Sequence, residues 1–106
     1  MTKREETLKS KKPHIYAKIQ FYTTEEGGRK TPTNDKWFGC PAIINNLYYD
    51  CILLLFYFGS IKPGDTVEVP IVFINKDVVK LLKNGDRFEL WDGRVFAEGI
   101  VNKIID

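Results

Sequence analysis

From His14 the chain alternates strictly. Ile15, Ala17, Ile19 and Phe21 fall on one side, and Tyr16, Lys18, Gln20 and Tyr22 on the other. A two-residue period of this kind predicts a half-buried strand. Glu25-Glu26-Gly27-Gly28-Arg29 breaks the pattern, and Thr31-Pro32-Thr33-Asn34-Asp35 prolongs the break, which predicts a tight, irregular loop. Trp37 to Ile44 reads as a short strand interrupted by Pro41, followed by a turn at Asn45-Asn46. Tyr48 to Phe58 is apolar on both faces apart from Asp50 and reads as the most buried strand. Pro63-Gly64-Asp65 is a turn. Beyond it Val67, Val69, Ile71 and Phe73 alternate with Glu68, Pro70, Val72 and Ile74, and Pro70 predicts a local edge or bulge. Val78, Leu81 and Leu82 fit one helical turn or an apolar-pinned loop, and Asn84-Gly85-Asp86 is a turn. Arg87 to Trp91 and Arg94 to Ile105 flank Asp92-Gly93, a strong hairpin signal.

The pattern amounts to about six strands with almost no helix. Small antiparallel chains of this kind close into barrels or sandwiches to hide their edges, and the periodicity does not choose between topologies. With 106 residues there is room for one domain and one modest core. The apolar fraction of 43% is ordinary for a globular protein.

Charge changes the picture at the N-terminus only. Residues 1–12 carry +3 and the remainder carries −1. The expectation is a basic, mobile tail over residues 1–12 and a barrel over residues 13–106. A barrel without a basic excess is not a broad nucleic-acid binder, so attraction to phosphate would have to come from the tail or one local patch. Behind the charged residues Lys3 to Glu6 there is no apolar stretch of a secretory signal. Cys51 to Phe58 is far shorter than the roughly 18 apolar residues of a membrane helix. The default expectation is a cytoplasmic protein with no membrane partner.

The candidate chemistry is thin. Cys40, Cys51 and the single histidine, His14, match no metal spacing, so no metal or other cofactor is expected. In a reducing compartment both cysteines read as free thiols packed as small hydrophobes. Glu25 and Glu26, adjacent on a glycine turn, point apart and make no general acid–base pair. No Gly-x-x-x-x-Gly-Lys-Ser/Thr loop is present, so no nucleotide is expected. These readings together describe a non-enzyme.

Several segments resemble, in order and at closely similar spacing, the C-terminal domain of the elongation factor Tu family. They are Lys12-Pro13-His14 with Ala17 and Tyr22; Glu25-Glu26-Gly27-Gly28-Arg29 with Thr31-Pro32; Pro63-Gly64-Asp65; and Arg87-Phe88 and Gly93-Arg94 with Gly99-Ile100-Val101. The similarity spans roughly residues 12–105. It implies an all-β fold, a six-stranded closed antiparallel barrel of the domain III type. In the complete factor that domain packs on the nucleotide-binding domain and a second barrel, helps hold the T-stem of aminoacyl-tRNA and contacts the exchange factor.

The departures fall on the RNA-facing stretch. Where the family has Tyr-Arg-Pro-Gln-Phe, this chain has Gly39-Cys40-Pro41-Ala42-Ile43, and Lys30 stands where a histidine usually follows the loop arginine. Neither Cys40 nor Ala42 can grip a phosphate. The resemblance therefore implies a non-catalytic interaction module whose partner is a protein. The alternative is a translation accessory that binds tRNA or other RNA through the Gly-Gly-Arg loop. The candidate binding residues are Gly27, Gly28, Arg29 and Lys30 of the loop with Trp37 and Phe38 just past it. Arg29 either reaches outward to a ligand or pairs with Glu25 or Glu26. Arg87 and Arg94 either extend the patch or pair with Glu89 and Asp92. Trp37 and Phe38 either anchor a partner or cap one end of the barrel.

Overall fold

The computed structural model describes residues 1–105. Asp106, the last residue of the expected barrel span, lies outside them. Six strands form a closed barrel: β1 (Ile15–Phe21), β2 (Trp37–Ile44), β3 (Leu47–Leu54), β4 (Thr66–Phe73), β5 (Arg87–Trp91) and β6 (Val95–Ile104). The order around the barrel is β1-β4-β3-β2-β5-β6, and β6 pairs back onto β1, every neighbour antiparallel. The closed six-stranded antiparallel barrel expected from sequence is the observed architecture. Closure leaves no free sheet edge around the circuit.

The alternation does the sorting. Ile15, Ala17, Ile19 and Phe21 of β1 are buried in the interior with Val69, Ile71 and Phe73 of β4, while Lys18 and Gln20 point out. Phe96 sits at the centre, edge-on to Phe21 at 5.2 Å and to Phe38 at 5.9 Å. Asn45 and Asn46 both adopt positive φ, at 52° and 64°. That is the two-residue turn whose twist suits a hairpin, and it joins β2 to β3 in register from Ile44–Leu47 to Trp37–Leu54.

Pro41 and Pro70, the prolines inside strands, sit where a strand parts from a neighbour. β5 pairs with β2 only at Ala42 and Ile43, so Pro41 stands just beyond the ladder. β2 therefore runs through Pro41 without the expected interruption. β3 pairs with β4 only from Ile71 to Phe73, so Pro70 lies on a local edge, as its missing N–H requires.

Two expectations need correction. Residues 1–12 are not simply a solvated tail: Lys3–Lys9 form a helix, α1, with a capping box at Thr2. The Glu5 amide donates to Thr2 Oγ1 at 3.1 Å, and the Thr2 amide donates to Glu5 Oε1 at 2.9 Å. The Thr2 backbone bond holds the Glu5 carboxyl below its usual range. Leu8 of α1 is buried on the outside of the barrel against Ile52, Leu54 and Val72, with Trp37 and Phe56 beside them. This explains the doubly apolar β3. Cys51 and Leu53 face the interior, while Ile52 and Leu54 face α1. The strand also ends earlier than Phe58. After Leu54 the chain turns, the Phe58 and Gly59 amides both donating to the Leu55 carbonyl, and Tyr57 and Phe58 are 80% and 55% exposed. The turn expected near Val78 is a short 3₁₀ helix, Lys76–Leu81, that buries Val78 and leaves Leu81 outside.

His14 ties three strands together at one end of the barrel. Its amide donates to the Ile71 carbonyl, its carbonyl accepts from Ile105, and its Nδ1 accepts from the Phe73 amide, each at 2.9 Å. The ring must be neutral at Nδ1 to accept. Burial, then the charges of Lys11 and Lys76, hold its pKa below the ordinary 6.5. The unfolded chain therefore takes up the proton first. His14's contribution is complete above the unfolded pKa and is lost as pH falls from there through the lower folded pKa. The expected outcome is a lower urea midpoint when pH drops from about 7.5 to about 5.5, a drop that His14→Gln largely removes. An unchanged wild-type midpoint over that window would contradict the assignment.

Candidate functional site

The loop between β1 and β2 is built by a tight turn. The Glu26 amide and the Gly28 amide donate to the Thr23 carbonyl at 3.1 and 2.9 Å, and Gly27 donates to the Thr24 carbonyl at 3.1 Å. Gly27 has φ +95°, which favours glycine, and a Cβ on Gly28 would lie 2.3 Å from the Tyr22 carbonyl oxygen. The glycine pair is thus demanded by the backbone itself. Glu26 folds back, its Oε1 accepting from the Thr23 amide at 2.9 Å and hydroxyl at 3.0 Å. Those two bonds hold its carboxyl below the usual range. At the far end of the loop Thr33 is buried and exchanges backbone and hydroxyl bonds with Ile61, fixing the approach to β2.

Arg29 takes neither of the roles expected for it. Its guanidinium turns inward and its partner is Asp92, with Nη1 2.8 Å from Oδ2. Nε donates to the Thr31 carbonyl at 3.3 Å, and Thr24 Oγ1 donates to the Arg29 carbonyl at 2.7 Å. The guanidinium carbon stands 4.5 Å from the Phe38 ring centroid and 5.8 Å from that of Phe96. The side chain is only 18% exposed. It connects the loop, β2, β6 and the β5–β6 turn where β2 has parted from β5. Asp92, expected from sequence as a partner for Arg87 or Arg94 across the hairpin, pairs with Arg29 instead. It lies 63 positions from Arg29, beyond any local signal.

The other loop candidates are distributed unevenly. Lys30 is exposed and, with Gly28, Arg29, Thr31, Asp92 and Arg94, lines a recess of about 290 Å³. Among the described residues neither Lys30, Arg87 nor Arg94 makes an ion pair; Asp92 is taken by Arg29. Trp37 and Phe38 are consecutive in β2 and so face opposite ways. Phe38 packs on the interior cluster, as a barrel cap would. Trp37 packs on the outer cluster beneath α1, with the Arg4 guanidinium carbon 5.1 Å from its ring centroid. The six candidates do not converge on one surface.

Cys40 and Cys51 are cross-strand partners in the β2–β3 ladder, both buried and both free. Cys51 Sγ donates to the Cys40 carbonyl at 3.2 Å. The Cys40 side chain, with burial, pushes the Cys51 thiol well above its ordinary value. A buried, protonated thiol is a poor nucleophile. His14 Nδ1 accepts from the Phe73 amide and is not a partner of either thiol among the described hydrogen bonds. Among the described residues no three His, Cys, Asp or Glu side chains gather as a metal site, and no helix is long and apolar enough to cross a membrane.

Large apolar side chains are exposed outside the barrel. Tyr48 is 58% exposed and meets Trp91 edge-on at 5.6 Å. Ile43 lies between them, paired with Tyr48 on one side and Glu89 on the other. Ile74, 66% exposed, borders a shallow recess with Pro41 and Trp37. No protein-family model matches this sequence, and no curated protein matches it.

The loop geometry ranks three substitutions. Gly28→Ala drives a Cβ into backbone and lowers stability by roughly 3 kcal/mol. Arg29→Ala loses its packing on two aromatic rings and lowers it by roughly 2 kcal/mol. Asp92→Ala removes a half-exposed charge and lowers it by less than about 1 kcal/mol. Urea unfolding of the three variants checks the order, and an Arg29→Ala protein as stable as wild type would remove Arg29's structural role.

Proposed function

We propose that this chain is a non-catalytic protein-binding module, a relative of the C-terminal barrel of elongation factor Tu. The motif order and the closed six-stranded barrel support the kinship. One observation carries the binding reading: the outer wall of β2, β3 and β5 holds exposed Tyr48 against half-buried Trp91 and Ile43, with exposed Ile74 at the end of β4, although the barrel interior is already filled by its own side chains. Apolar surface with an exposed Tyr resting on a half-buried Trp has the composition of interface anchors.

The loop favours this reading over RNA. Arg29, the residue best suited to phosphate, is turned toward Phe38 and Phe96 and neutralised by Asp92. Lys30 and Arg94 remain beside it, a small electrostatic footprint.

Salt dependence separates the two readings. Affinity capture of cellular proteins on immobilised wild type is expected to survive a rise from about 0.1 M to about 0.5 M salt, and to be lost with Tyr48→Ser/Trp91→Ser. In filter binding, aminoacyl-tRNA is expected to be held no better than by a non-specific basic peptide. Tight, salt-sensitive tRNA binding that disappears with Lys30→Glu/Arg94→Glu would reverse the order and favour the RNA reading.

A further inference from the structure

A second surface stands apart from both the loop and the Tyr48 wall. β3 leaves β4 before Ile71, and the space so opened at that side of the barrel is a recess of about 220 Å³. Its walls are Pro13 just before β1, Tyr16 of β1, Leu54 at the end of β3, Phe56 and Phe58 from the turn after it, and Pro70 from β4. Lys9, at the end of α1, and Lys11, on the connection to β1, line it as well. We propose that this recess seats an aromatic side chain carried in an acidic peptide segment of a partner protein. The proposal rests on the reading of the chain as a protein-binding module and names one of its ligands.

Size and lining select the side chain. A cavity of about 150 Å³ lined by apolar residues takes up benzene, so 220 Å³ accommodates a phenyl ring. Tyr16, Phe56 and Phe58 offer ring faces and edges for offset or edge-on packing. Tyr57, which also lines the recess, is 80% exposed. The charge selects the flanks. Lys9 Nζ stands 5.5 Å from the Tyr57 ring centroid, and neither Lys9 nor Lys11 makes an ion pair among the described residues. Both cations are thus open to carboxylates on either side of a seated ring, which steer the encounter and fix its direction.

A nucleobase is the competing occupant, since lysines with aromatics also bind single strands. The recess disfavours it. Its walls hold no Asn, Gln, Ser or Thr to meet the polar edges of a base.

The test uses the full chain and an N-acetylated, C-amidated Glu-Asp-Phe-Asp-Glu peptide. Titration followed by amide chemical shifts should give saturable changes centred on Tyr16, Leu54, Phe56 and Phe58. Replacing the peptide Phe by Ala should weaken binding by about tenfold or more. Lys9→Glu/Lys11→Glu, two surface changes that leave the barrel walls intact, should weaken it by about tenfold. Lys30→Glu/Arg94→Glu should leave it unchanged. No saturation by millimolar peptide, equal binding of the Ala peptide, or an oligouridylate that binds these residues more tightly than the peptide each overturns the assignment. Peptide failure with salt-tolerant capture through Tyr48 and Trp91 intact would remove this ligand alone. Loss of both would remove the module reading.

Discussion

Two of the six strand pairings are very short. β2 meets β5 over Ala42 and Ile43 only, and β3 meets β4 over Ile71 to Phe73 only. The circuit is closed, yet twist splays these neighbours apart beyond the short ladders. Each splay opens a gap in the wall that side chains must cover. At one gap the cover is the Arg29 guanidinium laid over Phe38 and Phe96. Around the other lie Pro13, Tyr16, Phe56 and Phe58, with α1 close by. Pro41 and Pro70 occupy the same parting points, where no donor is required of them.

This arrangement changes the meaning of the glycine loop. A basic residue on a Gly-Gly turn invites a ligand-binding interpretation. Here Gly28 allows a close backbone contact with Tyr22, Gly27 supplies a positive φ, and the arginine closes the barrel wall. A cation placed over rings and paired with a half-exposed carboxylate keeps its hydrogen-bonding capacity inside the fold. The outward chemistry of that end is left to Lys30 and Arg94. The same economy holds for Trp37, whose ring is spent on α1 and Arg4.

Much of the barrel was legible in the sequence, because period-two alternation reports a half-buried strand directly. β1 and β4 are clear cases, as are the Asn45-Asn46 and Asp92-Gly93 turns. Pro70 marked its local edge for a definite reason, the absent N–H. Helix α1 was obscured by its own charges, although Thr2 and Glu5 stand at capping-box spacing and Ile52, Leu54 and Val72 form an outer apolar set needing a cover. The candidate site was less legible. Arg29's choice of Asp92 over Glu25 and Glu26 depends on closure of the barrel, a non-local event. The separation of Trp37 from Phe38 follows from strand alternation once β2 is known to begin at Trp37. Tyr57 and Phe58, read as buried strand, are exposed because the chain turns at Leu55.

The position of β1 has a consequence for the life of the chain before it is folded. Both neighbours of β1 come late in the sequence: Ile15 pairs with Ile71 and with Ile104. As the chain leaves the ribosome, β1 has no partner until β4 is made and only one until β6 is made. Meanwhile Ile15, Ala17, Ile19 and Phe21 form an apolar strand with both edges open, the type of segment that aggregates or engages chaperones. The β2–β3 hairpin, joined by its two-residue turn, can form locally during this interval and gives the late strands something to assemble on. Barrel closure therefore waits on β6, slow in the manner of non-local β pairings and sensitive to loss of the last few residues of that strand.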